Sequence, residues 1–163
     1  MTLNNWISVV IAYGLVACVL FTGLIAVQFV VGGEQSLRDE NGRVRKQEQW
    51  NASALVMLLM AVALFIGVPV VANSLVSQGG ASSIPNFWIY LITAYSIAFL
   101  VNLYDLVVID YLVILRWRPA FLHLPDTLYY TTLRPHVEGW KRGLLIVLIL
   151  SFISALISLA LHG

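Results

Sequence analysis

All nine Lys and Arg residues fall in two short stretches, and four long apolar runs surround them. Arg38, Arg43, Arg45 and Lys46 make the first stretch, and Arg116, Arg118, Arg134, Lys141 and Arg142 make the second. A helix needs about 20 apolar residues to cross the hydrocarbon of a bilayer. The runs at about 5–31, 52–76, 87–115 and 142–161 each reach that length. Backbone polar groups in lipid must be satisfied within the segment, so the runs are expected as helices. Val, Leu, Ile and Ala occur in blocks without strand alternation. The expected fold class is therefore all-α: a transmembrane four-helix bundle forming a single transmembrane domain over residues 1–163.

The connections set the expected orientation. Residues 32–50 carry four basic and four acidic side chains, residues 77–86 carry none, and residues 116–141 are long, aromatic and basic. Cations are retained on the cytoplasmic side. Loops one and three are thus expected as two cytoplasmic loops, with the N-terminus, the C-terminus and loop two outside. Trp6, Trp50, Trp88, Trp117 and Trp140 fall near the expected span ends, where indoles favour the interface.

Composition supports this reading. Hydrophobic residues make 60% of the chain and charged residues 10%, against about 25% charged in a soluble domain. The net charge of +1 gives no concentrated basic face for nucleic acid. A single cysteine, Cys18, rules out an intrachain disulfide and a Cys-rich metal site. The apolar N-terminal run lacks a basic n-region and is too long for a signal peptide, so it is read as the first span. The box from Leu15 to Cys18 and the acceptor at Asn51 are read as chance matches to lipoprotein and glycosylation signals. Ser151, Ser154, Ala155 and Ser158 recur at helical spacing, as do Gly14 and Cys18, and small residues let membrane helices approach closely. Pro69 lacks an N–H and is expected to bend the second span.

The costly residues lie in the third run: Asn102, Asp105 and Asp110. An ionised carboxylate at the bilayer centre costs roughly 2.5–3.5 kcal/mol on the lenient scale. On a regular α-helix Asp105 stands about 16 Å, and Asp110 about 9 Å, along the axis from Arg116. At about 100° per residue, Asn102 and Asp105 share a face, whereas Asp105 and Asp110 diverge by about 140° on a straight helix, which argues against a tight dyad. Asp105 is expected to face the bundle interior, and Asp110 to pair with Arg116, Arg118 or Arg142. Loop three adds His123 and His136, thirteen residues apart, without metal-ligand spacing. The candidate polar site is Asn102, Asp105, Asp110, Arg116, Arg118, His123 and His136; no metal and no cofactor is expected.

The run from Asn102 through Asp105 and Asp110 to Leu112 continues with Pro119, Leu124 to Thr127, Tyr129, Tyr130, His136 and Gly139. This pattern, over about 40 residues, resembles a family of small uncharacterised bacterial membrane proteins with four spans and an acidic third span. Tyr111 stands where that family often has Trp, and Asp126 where it often has Gly. The resemblance implies a bacterial inner-membrane location and names no reaction. No Gly-rich phosphate loop, serine nucleophile motif or Cys–His arrangement is present. The sequence therefore leans away from an enzyme, towards an accessory, interaction or lipid-contacting bundle. Its expected partners are membrane lipids and a membrane protein or second copy. The alternatives are an enzyme or binding protein for a lipid or quinone-like molecule at the cytoplasmic interface, and a proton-coupled transport subunit.

Overall fold

The computed structural model describes residues 2–32, 52–78, 86–122, 124 and 126–162. The elements are α1 (Leu3–Gly32), α2 (Ala52–Val62), a π-helical turn (Ala63–Gly67), α3 (Val68–Gln78), α4 (Asn86–Tyr104), a π-helix (Asp105–Trp117), a 3₁₀ turn (Ala120–Leu122), α5 (Leu128–Thr131) and α6 (Arg134–His162). No strand occurs among the described residues. Among the described residues, four helical stretches are long and apolar enough to cross a membrane: Leu3–Val27, Leu58–Gln78, Asn86–Trp117 and Arg134–His162. The all-helical, four-span reading holds at this level.

Two differences from the sequence expectation matter for the site. The fourth helix starts at Arg134 rather than near residue 142. Its first turns are polar, which hides them from a hydropathy argument, and Pro135 suits a first helical turn because no N–H is needed there. The third span also leaves α-helical winding at Asp105 and continues with i→i+5 bonding to Trp117. Runs of this kind are rare beyond a single turn. The backbone N–H of Arg118 closes the segment on the Val113 carbonyl at 2.8 Å. Ile109 and Ile114 are its buried apolar residues, and they are five apart. Winding with i→i+5 bonds brings both onto the core face.

The bundle packs α4 against α1, α3 and α6, and α3 also meets α1 and α6. Side-chain ties fix the register. Along α1 and α4, the Trp6 Nε1–H donates to Thr93 Oγ1 at 2.8 Å, and the Thr22 and Tyr104 hydroxyls meet at 2.8 Å. These two helices therefore run in the same direction. On α6, Ser151, Ser154, Ala155 and Ser158 are all buried, so the small-residue stripe forms its inner face. Ser158 accepts from Asn73 Nδ2 at 2.9 Å, and Ser154 donates to the Ile66 carbonyl at 3.4 Å. The second tie falls on the π turn just before Pro69. A proline removes a backbone donor and disturbs carbonyls one turn earlier, and here an α6 hydroxyl reaches one of them. Cys18 is buried in the apolar core beside Phe21.

Candidate functional site

The α4–α6 contact carries the polar residues that the sequence singles out. Asn102 Nδ2 donates to the Trp140 carbonyl at 3.4 Å. Its Oδ1 stands where a side chain on residue 143 would begin: a Cβ built on Gly143 falls 2.7 Å from it. Only a glycine lets the two helices meet with Asn102 in this pose. One step towards the other end, Asp110 Oδ1 lies 2.8 Å from His136 Nδ1. The His136 side chain is fully buried, and that of Asp110 is 16% exposed. The opposite ring nitrogen, Nε2, sits 2.8 Å from the Tyr129 carbonyl oxygen, and the Tyr129 ring packs on the imidazole at 4.5 Å. One histidine thus joins the π-helix of the third span, the short helix α5 and the first turn of α6.

A carbonyl oxygen only accepts, so Nε2 carries the hydrogen of the Tyr129 contact. Asp110 Oδ1 approaches Nδ1 closely, but Nδ1 makes no hydrogen bond among the described residues. The first turn of α6 favours an anion nearby.

Winding with i→i+5 bonds overturns the angular argument made on a regular helix. Residues five apart become successive neighbours along one face, as residues four apart are in an α-helix. Tyr111 and Arg116 demonstrate it: the Arg116 Nε and Nη2 groups donate to the Tyr111 hydroxyl at 3.1 and 2.9 Å, with the guanidinium 5.3 Å from the ring centre. Asp105 and Asp110 have the same spacing, so the expected 140° divergence does not apply to them. Asp105 is half-buried. The register also changes its setting. It lies between Asn102, level with Trp140, and Asp110, level with His136. It is therefore level with the polar first turns of α6 rather than with that helix's apolar stretch.

The expected arginine partners go elsewhere. Arg116 is held by Tyr111, and Arg118 bonds Asp126 at 2.7 Å and the Leu124 carbonyl at 3.4 Å. Arg118 has φ of 45°, a left-handed conformation that costs a non-glycine residue roughly 1–2 kcal/mol. Its side-chain contacts across loop three oppose that cost. Arg134 pairs with Glu138 at 3.2 Å. His123 lies outside the described residues, as do Asn51 and most of loop one. The structure thus draws Asn102, Asp110 and His136 together along α4–α6, places Asp105 between them in height, and turns Arg116 and Arg118 to other partners.

Sequence reasoning missed Gly143, Tyr111, the Trp140 and Tyr129 carbonyls, and Asn73. Asn73 had a signal, being an isolated amide in an apolar run. The backbone acceptors had none. The recurrent spacing of five (Asp105 with Asp110, Ile109 with Ile114, Tyr111 with Arg116) was the legible trace of the π-helix. An open apolar groove of about 390 Å³ lies between α1 and the second span, lined by Tyr13, Leu20, Leu24, Leu64, Gly67 and Val71, and none of the candidate polar residues reaches it. Among the described residues, no three His, Cys, Asp or Glu side chains converge on a possible metal position. No family model, curated protein or solved structure matches the chain.

Proposed function

We propose that this chain is a non-enzymatic, lipid-contacting helical bundle of the bacterial inner membrane, with the cationic end of its helices in the cytoplasm and both termini outside. The observation that carries the reading is the chain Asp110–His136–Tyr129 carbonyl. It sets one ring nitrogen of the histidine against the third span and hydrogen-bonds the other to the connection between the two spans. Asn102, Arg116 and Arg118 are likewise engaged with protein groups. Side chains committed in this way hold an end of a bundle together. The clustered cations supply the orientation, since they stay on the cytoplasmic side. The resemblance of the third span and the following loop supplies the bacterial inner membrane.

Cysteine labelling tests the placement. In a Cys18→Ala background, single variants Asp126→Cys and His162→Cys report on the two ends, and both native side chains are exposed. Replacing Asp126 removes only a surface ion pair, a small loss. A membrane-impermeant maleimide is expected to label His162→Cys in intact spheroplasts and Asp126→Cys only after permeabilisation. The reverse pattern would overturn the orientation, and labelling of both without permeabilisation would overturn the membrane crossing.

A further inference from the structure

The cations at this end are not all used alike. Arg118 and Arg134 each meet a carboxylate, and Arg116 meets Tyr111. Lys141 and Arg142 are exposed and have no carboxylate partner among the described residues. Glu138, one turn before Arg142, is engaged by Arg134.

Their height on the helix is informative. α6 has 29 residues, which at 1.5 Å each span about 43 Å, against a hydrocarbon thickness of about 30 Å. Residues 143–162, with no charge except His162 at the end, fill that thickness by themselves. Lys141 and Arg142 then sit at the boundary where lipid phosphates lie. Below Arg142 on the same face, Ile146, Ile149 and Ile153 are 57%, 52% and 39% exposed. Above it, Gly139 leaves open space: a Cβ placed there meets nothing within 4 Å among the described residues.

We infer that Lys141 and Arg142 form a binding site for the phosphate of an anionic phospholipid, whose acyl chain lies along Ile146, Ile149 and Ile153. The inference rests on the reading above that this end lies at a membrane surface, and it deepens that reading by naming the lipid class. A cation pair alone would suit any phosphate. Cations set directly above an exposed aliphatic stripe suit a phosphate that carries an acyl chain. Gly139 matters because it gives a headgroup room to reach Arg142 along the helix.

Native mass spectrometry of protein released from vesicles of equal phosphatidylcholine and phosphatidylglycerol tests the site. The wild-type chain is expected to retain phosphatidylglycerol preferentially. Lys141→Gln/Arg142→Gln is expected to reduce that retention about 30-fold, the effect of two surface cations near an anionic lipid layer. Arg134→Gln, whose cation is already paired, is expected to leave it unchanged. Gly139→Leu, which keeps both cations and fills only open space, is expected to lower retention and serves if the double variant fails to fold. Unchanged retention in the folded double variant, or in Gly139→Leu where the double variant does not fold, overturns the site. Displacement by excess inorganic phosphate would identify a free anion as the ligand and overturn the lipid assignment. Either failure leaves the bundle itself standing, because the cysteine labelling reads its placement independently.

Discussion

His136→Leu is expected to lower stability by about 2 kcal/mol, the scale seen when a buried polar group loses its partner. Three losses coincide in this variant. Asp110 keeps a mostly buried carboxylate without its partner. The Tyr129 carbonyl loses its donor, and a buried acceptor left unsatisfied costs about 1–3 kcal/mol by itself. The Tyr129 ring loses the imidazole on which it packs. The three overlap in space, so they do not sum independently. Thermal or denaturant unfolding in nanodiscs reads the effect. It should be localised as well as large, with loop three and α5 gaining hydrogen exchange ahead of the α1–α4 contact. A loss of less than about 1 kcal/mol would mean that the pair is solvated and holds little.

Gly143→Leu is expected to produce the other large effect. A Cβ at this position already falls 2.7 Å from Asn102 Oδ1, and a leucine adds three further carbons in the α4–α6 contact. Asn102 must rotate away, giving up its bond to the Trp140 carbonyl, and the helices must separate. Overpacking of a tight interface costs about 1–3 kcal/mol, and in a membrane the displaced amide also seeks a new partner. Combining the change with Asn102→Ala removes the clashing atoms. The milder Gly143→Ala is therefore expected to be largely rescued by Asn102→Ala, while Gly143→Leu is rescued only in part. Unfolding of the four variants side by side checks this. Absence of any rescue would place the obstruction somewhere other than Asn102.

The same two positions show what the sequence disclosed and what it withheld. Four apolar runs and two cationic clusters were enough to anticipate four membrane-length helices, because hydrocarbon thickness and backbone satisfaction act on every residue of a span. The small-residue stripe of α6 was readable for a similar reason: Ser151, Ser154 and Ser158 have no place on a lipid face unless packing calls for them. Asp110 and His136 were each singled out, yet their pairing was not. That pairing depends on α6 starting at Arg134, which the polar residues 134–142 concealed, and on the π winding of residues 105–117, which moves Asp110 off its regular-helix position. Gly143 was invisible because its role depends on the side chain of another helix. The expected Arg–Asp110 pairing gave way because Tyr111, five residues before Arg116, and Asp126, in the same loop as Arg118, are nearer neighbours in the wound chain.

The structural role assigned to Asp110 and His136 is put at risk most directly by replacing both. Replacing both partners of a buried polar contact by apolar residues of similar size costs far less than removing one of them, since no group is left stranded. The double variant Asp110→Leu/His136→Leu is therefore predicted to recover the part of the loss that comes from the stranded Asp110 carboxylate, though not the part from the Tyr129 carbonyl, and to complement a strain lacking the gene as well as the wild type does. A double variant that folds stably but fails to complement would contradict that role, because it would show that the carboxylate and the imidazole do something beyond holding two helices and a loop together.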